Sequence, residues 1–340
     1  MTILSCQKDS GIQPNQPDGT CIVNNVLAAP DGFEINLLST VSLSGSLKEI
    51  QFVDENTAYL LGTNNLGGYA EAFHSTNGGI DWIDLKIQNR KNPINMFFPD
   101  KNIGFITHYG PNGNLLKTTD GGLNWTEYSY PNLNGVLYHI QKDQNNNLYA
   151  ILFSTYSGVS LVKSADLAES WQVINDSPEL SFSLITFSFR LYEDRLYIGG
   201  KNGTLIVTDL DGKQLKVLQH GIPRIWDLEV IDHDNLVLAG SSKTLKTSDG
   251  GANWLEIYNK SARVIGFSDP EKGIMILNKS YCPGDVYQSN AVFASTENGG
   301  VSWKESAQIT NLNIRYSDSS IQTGERYIVI IGNGLYELLR

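Results

Sequence analysis

The chain has 340 residues, a formal net charge of −11 at neutral pH and only 18% charged residues, against 32 glycines. An acidic balance with no Lys/Arg run excludes nucleic acid, because neutralising phosphates needs clustered cations. No stretch of 18 apolar residues occurs, which excludes a helical membrane span. Abundant Gly, Asn, Ser and Thr suit short strands joined by many turns.

In chain order, residues 1–32 read as a leader and tether. Ile3-Leu4-Ser5-Cys6, followed by Gln7-Lys8-Asp9-Ser10 and a Pro/Gly/Asn/Gln-rich stretch to about Thr20, resembles the lipobox of bacterial lipoproteins. That resemblance implies a lipid on Cys6 and an exported protein, held in the periplasm, at the outer membrane or on the cell surface. The other reading is an unstructured cytosolic leader. Cys21 precedes the first strand, and Cys282 lies in a long loop, Asn278–Asn290. In an oxidising compartment the two can pair and pin the N-terminus; otherwise they are unrelated buried thiols.

From residue 33 the chain reads as strands. Phe33–Leu43 is the first, without a hairpin partner of its own. Seven hairpins follow, at roughly 47–61, 94–106, 136–152, 184–199, 224–239, 262–277 and 312–331, each an alternating apolar run, a polar turn and a second apolar run. Several share a phrase: Ile50 to Asp54 with Tyr59 five residues on, Met96 to Asp100 with Phe105, Leu228 to Asp232 with Val237, Ile265 to Asp269 with Ile274. A third strand such as Asn114–Thr118 leads from a hairpin into a second phrase, S/T-x-D/N-x-G-x-x-W, and a fourth strand follows its tryptophan. The copies carry Asn77 and Trp82, Asp120 and Trp125, Asp166 and Trp171, Asp249 and Trp254, Asn298 and Trp303. These tryptophans are 43, 46, 83 and 49 residues apart; the 83 is two periods, with a degenerate copy at Val207–Gln214 between. A period near 40–50 marks an array of identical supersecondary units. Seven four-stranded units predict an all-β fold, a seven-bladed β-propeller occupying 33–340 as one domain. The seventh unit has no such box. Its third strand is expected at Gly334–Leu338 and its outer strand at Phe33–Leu43, closing the ring non-covalently without an open sheet edge.

The box residues suit a turn. The hydroxyl and the Asp/Asn oxygen can accept turn N–H groups, the glycines permit positive φ, and the Trp is expected to bury its ring against the next blade. The alternative, a catalytic aspartate, is opposed by Asn77 and Asn298 standing in place of the acid.

Together with Phe98-Pro99-Asp100-Lys101-Asn102-Ile103-Gly104-Phe105, the boxes resemble those of the photosystem II stability/assembly factor family of BNR-repeat propellers. The likeness spans about 300 residues. It implies a non-enzymatic scaffold that binds protein. The photosynthetic members use an arginine-rich surface; here eight arginines are scattered over an acidic chain, so the photosystem role is not carried over.

Sialidases share the box and are the enzyme alternative. Their chemistry needs three arginines on the substrate carboxylate and a Tyr nucleophile backed by Glu. Arg224, Arg263 and Arg315 fall in three successive hairpins and could converge on one rim. Other glycosidases with such propellers share only the box. The five histidines (His74, His108, His139, His220, His233) show no zinc spacing. No P-loop, dinucleotide fingerprint or nucleophile elbow occurs, so neither cofactor nor metal is expected.

A ligand is expected on the face carrying the loops before first strands and between second and third strands. Candidate contacts there are Tyr109, Tyr156, Trp226, Tyr281, Arg224, Arg263 and Arg315; exposed loop aromatics suit protein recognition or sugar stacking. Trp226 is the one tryptophan outside the boxes. The reading is a monomeric, exported protein-binding propeller, with a carbohydrate-binding or glycoside-hydrolysing propeller as the alternative. Membrane contact is expected only through the lipid.

Overall fold

The computed structural model describes residues 34–41, 45–64, 68–87, 92–154, 158–180, 186–200, 203–279, 290–306, 321–323, 326–331 and 334–339. The expected ring is present: seven antiparallel sheets of four strands each. β1 (Glu34–Thr40) is not part of the sheet formed by the strands that follow it. Blade 1 holds β2 (Ser46–Phe52), β3 (Ala58–Thr63), β4 (Ala70–Ser75) and β5 (Ile83–Asp84); blade 2 holds β6 (Pro93–Phe97), β7 (Gly104–His108), β8 (Leu115–Thr118) and β9 (Thr126–Tyr128). Blade 3 holds β10 (Val136–Lys142), β11 (Leu148–Ser154), β12 (Gly158–Ser164) and β13 (Gln172–Asn175); blade 4 holds β14 (Thr186–Tyr192), β15 (Arg195–Gly200), β16 (Leu205–Asp209) and β17 (Lys216–Leu218). Blade 5 holds β18 (Ile225–Val230), β19 (Asn235–Gly240), β20 (Thr244–Ser248) and β21 (Leu255–Tyr258); blade 6 holds β22 (Ala262–Phe267), β23 (Gly273–Lys279), β24 (Asn290–Thr296) and β25 (Lys304–Glu305). Blade 7 is β26 (Ile321–Thr323), β27 (Arg326–Ile331) and β28 (Gly334–Leu339), and β1 is its outer strand, pairing Glu34 with Leu339 and Thr40 with Gly334.

The two repeated phrases interlock on one face. Each box is closed by its hydroxyl and acid or amide. In blade 2, Thr118 Oγ1 donates to Asp120 Oδ1 (2.8 Å) and accepts from Gly122 N (2.9 Å), while Asp120 Oδ1 accepts from Asn124 N (2.9 Å). Asn77 and Asn298 accept the equivalent N–H, from Asp81 (3.0 Å) and Ser302 (2.9 Å). An amide oxygen therefore does the same work as a carboxylate. In the hairpin phrase the Asp makes an Asx turn, as where Asp100 Oδ1 accepts from Asn102 N and Ile103 N. The first box glycine then ties box to hairpin within its blade: Gly78 N to Asn56 O, Gly121 N to Asn102 O, Gly250 N to Asp234 O and Gly299 N to Glu271 O. At Val207–Gln214, Asp209 Oδ1 still accepts from Lys213 N (2.7 Å) although Val207 stands at the hydroxyl position and Leu210-Asp211 at the two glycines.

The apolar cores lie between blades, each uniting one sheet with its neighbour. The box tryptophans pack there, but against the preceding blade and not the next. Trp125 of blade 2 lies with Leu61 and Leu85 of blade 1, and Trp171 of blade 3, only 2% exposed, with Phe105 and Leu115 of blade 2. The backbone at the fifth box position is left-handed in both, Gly122 at φ +92° and Ala168 at φ +66°, and Gly122 lies against Leu85 of the preceding blade.

A smaller difference concerns a loop. Asn278 and Lys279 belong to β23, paired with Ala291 and Asn290. His139 sits inside β10, at a bulge with φ 55°.

Candidate functional site

The central channel is lined by the first strands, β2, β6, β10, β14, β18 and β22 among them, each entering from the loop face. Five of these start with a bulge in their pairing to the second strand, which leaves Lys48, Ile94, Phe187, Trp226 and Arg263 as the extra residue. The same insertion therefore recurs at the channel mouth in blades 1, 2, 4, 5 and 6. The next residue down each strand is Glu49, Asn95, Ser188, Asp227 or Val264. Two residues further are Gln51, Phe97, Arg190, Glu229 and Gly266.

At the mouth, Trp226 is half-buried and two guanidinium groups lie on its ring, Arg263 at 3.8 Å and Arg224 at 5.2 Å from the ring centre. Both are within cation–π range, and Arg263 is at stacking distance. Lys48 Nζ, on the same rim, donates to Pro93 O at 2.6 Å. Arg224 and Arg263 thus do meet, over an indole. Arg315 lies outside the described residues, as do Tyr156, Tyr281, Cys6, Cys21 and Cys282. Tyr109 is on the loop face and 62% exposed.

Below the mouth the side chains are ionic. Arg190 Nη2 of blade 4 pairs with Asp227 Oδ1 of blade 5 at 2.9 Å, with side chains 40% and 15% exposed. Glu49 of blade 1 and Glu229 of blade 5 also feel the Arg190 charge. The carboxylates and amides of these strands staple the next blade's inner edge: Glu49 Oε2 accepts from Met96 N (2.7 Å), Gln51 Oε1 from Phe98 N (2.7 Å), Asn95 Oδ1 from His139 N (3.2 Å) and Asp227 Oδ2 from Ile265 N (3.1 Å). Burial pushes the carboxyls of Glu49 and Glu229 up to about 7 and raises Asp227 as well, with Arg190 and the backbone N–H groups pulling the other way.

None of these lumen residues is evident from sequence pattern. The only signal was the alignment of first strands on their hairpins, which puts Glu49 level with Asp227, and Arg190 level with Glu229. The boxes lie on the opposite face, and their acid, amide and hydroxyl oxygens are engaged within the turn, as at Thr118, Asp120 and Asn124. Donors around Asp249 hold its carboxyl down at about 2, and Asp120 is likewise lowered by Asn124.

Elsewhere on the loop side, a cleft of about 380 Å³ in blade 1 is lined by Asn64, Tyr69, Glu71 and Asp84, with Lys86 paired to Asp84 at 3.0 Å. No group of three or more His, Cys, Asp or Glu residues arranged to hold a metal exists among the described residues.

No family model matches the sequence, and no curated protein does. Solved structures match along most of the chain. YCF48 from Cyanidioschyzon merolae is similar at TM-score 0.67 and 14% identity, over 90% of this chain and 98% of that one. A structure of YCF48 bound to D1 peptide is similar at TM-score 0.66 and 13% identity, over 94% and 100%. The GH74 xyloglucanase from Xanthomonas campestris is similar at TM-score 0.60 and 14% identity, over 90% of this chain and 53% of that one. At such identities the common property is the architecture, and the chain is a seven-bladed β-propeller of four-stranded antiparallel blades.

Proposed function

We propose that the chain is a non-enzymatic propeller scaffold that binds a segment of a partner protein at the channel mouth on its loop face. The observation that carries this is Trp226 with Arg224 and Arg263 upon it, an aromatic–arginine anchor of the kind that dominates protein interfaces. The likeness to YCF48, one structure of which holds a D1 peptide, supports the same use of the fold; that peptide is that protein's ligand. Export and anchoring through Cys6 belong to this reading, and incorporation of labelled fatty acid that is lost in Cys6→Ser tests them.

The binding reading is tested by placing a photo-crosslinking residue at position 226 and, separately, at Leu123 on the box face of the intact chain. Adducts with one protein from 226, absent from 123 and lost in Arg224→Gln, are expected. Equal adducts from both positions sink the reading.

The meeting of Arg224 and Arg263 favours a second reading, an anionic sugar held by the guanidinium pair. Hydrolysis of a fluorogenic sialoside by the purified chain, abolished in Arg263→Gln, would replace the scaffold with a glycosidase.

A further inference from the structure

Trp226 and Arg263, the two halves of the anchor, are each the extra residue of a bulge, in β18 and in β22. The register of both ladders steps over them, so pairing to the second strand does not by itself aim their side chains. One carboxylate joins the two bulges. Asp227, next to Trp226 in β18, accepts from Leu228 N through Oδ1 (2.9 Å) and from Ile265 N through Oδ2 (3.1 Å). Ile265 lies two residues after Arg263 in β22. Arg190 Nη2, from blade 4, meets the same Oδ1 at 2.9 Å.

We propose that Asp227 is the positioning residue of the anchor: it sets the stacking of Arg263 on Trp226, and Arg190 locks Asp227 in place. The bearing of this on binding rests on the mouth being where the partner docks, and it names what regulates that mouth, an ion pair in the channel below it.

Three observations carry it. The Asp227 side chain is only 15% exposed, and a carboxylate so enclosed is destabilised when one of its partners is removed. Its bonds have direction: Oδ1 fixes β18 through the next residue of that strand and Oδ2 fixes β22, so the two extra residues follow one carboxylate. The third is a comparison inside the ring. Glu49 joins the bulges of blades 1 and 2 in the same way, accepting from Met96 N at 2.7 Å, and there the extra residues are Lys48 and Ile94. At that joint the cation goes to a backbone oxygen, Pro93 O, at 2.6 Å. The staple is common to both joints, and at the joint of blades 5 and 6 it carries an indole and a guanidinium.

Burial raises the Asp227 carboxyl, and Arg190 with the Ile265 and Leu228 N–H groups pulls it back. Loss of Arg190 therefore favours the protonated acid, which donates at one oxygen and holds the N–H groups less firmly. In this way the mouth is coupled to a channel residue two blades away from Arg263.

The test is acrylamide quenching of the full chain, the Trp226 contribution being the difference between each protein and its Trp226→Phe counterpart. Asp227→Asn keeps the size of the side chain but sets an NH2 group against one of the backbone N–H donors. In it, and in Arg190→Gln, the Trp226 quenching constant is expected to roughly double, because a guanidinium stacked on an indole covers one of its two faces. Arg190→Lys, which keeps the charge, should recover much of the protection. Gln51→Leu removes the acceptor of Phe98 N (2.7 Å) at the joint of blades 1 and 2, and should lower the urea midpoint while Trp226 quenching stays at the parent value. Should Asp227→Asn fail to fold, the two Arg190 variants decide. Parent-like quenching in folded Asp227→Asn or Arg190→Gln, or an equal rise in Gln51→Leu, overturns the proposal. If a partner still crosslinks at position 226 in that case, peptide recognition stands and only the positioning fails. A rise in quenching in a chain that gives no adduct at 226 supports the positioning and removes the peptide.

Discussion

Replacing Glu49 and Glu229 by Gln should remove a fall in stability between about pH 4.5 and 7. Both carboxyls rise from an ordinary 4.5 to about 7, with burial as the leading cause. Below 4.5 the folded and unfolded chains both hold these protons, and the contribution to the pH dependence is nil. Between 4.5 and 7 the folded chain keeps protons that the unfolded chain has released, so stability falls as pH rises; above 7 it levels off. Each unit corresponds to about 1.4 kcal/mol, so each glutamate accounts for up to about 3 kcal/mol. Glu49 and Glu229 are only partly buried, so solvent screens part of this, and about 3 kcal/mol for the pair is the expected net loss. The lowered box aspartates act in the opposite sense. Their stabilisation is present above about 3.8 and is lost as pH falls toward the depressed value, about 2 for Asp249. The parent should therefore be most stable near pH 4.5 to 5.5. Urea midpoints from pH 4 to 8, followed by tryptophan fluorescence, read this directly, provided the m-value is constant. A parent whose stability climbs from pH 4.5 to 7, or a double Gln variant with the parent's slope, would refute the reasoning.

The boxes and the ring closure give three further predictions. Thr118→Val removes the hydroxyl that serves both Asp120 and Gly122 N and should cost about 2–3 kcal/mol in urea unfolding, while Thr118→Ser should stay within about 1 kcal/mol of the parent. Gly122→Ala places a Cβ 2.7 Å from Leu85 Cδ1 at φ +92°, and a loss of about 2 kcal/mol by the same assay is expected. Deleting residues 34–40 bares the edge of β28 and takes Ser39 from Trp82 Nε1 (3.1 Å). Light scattering should then rise with protein concentration, and a deletion variant that stays monodisperse at high concentration would argue against edge protection.

The tryptophan spacing was enough to read the blades, and the lone run Phe33–Leu43 enough to read the closing strand, because both depend on period and length. The site was half legible. Arg224, Trp226 and Arg263 stood out as residue types at or beside the starts of two first strands, and the two arginines do share the indole. Arg190, Glu49, Asp227 and Glu229 did not stand out. They occupy alternating positions in strands whose other residues look alike, and only the bulge beside them determines which alternate reaches the axis. At the level of Glu49 the strands carry Glu, Asn, Ser, Asp and Val, so no repeated phrase marks it. The packing direction of the box tryptophans was equally hidden, since the hydrophobicity of a ring does not say which of two neighbouring blades it meets.

The pairing of β1 with β28 also imposes a schedule. Synthesis delivers β1 before β28, and six complete four-stranded blades separate them. Blades 1 to 6 can each assemble as they emerge, since their own four strands are consecutive. The circle cannot shut until the final strand arrives, and contacts of such long sequence separation are slow to form. Throughout that interval β1 is a strand without its sheet partner, open to self-association. A ribosome that stops early yields an arc with a free edge, which a quality-control protease or chaperone can tell from a finished circle without reading any sequence.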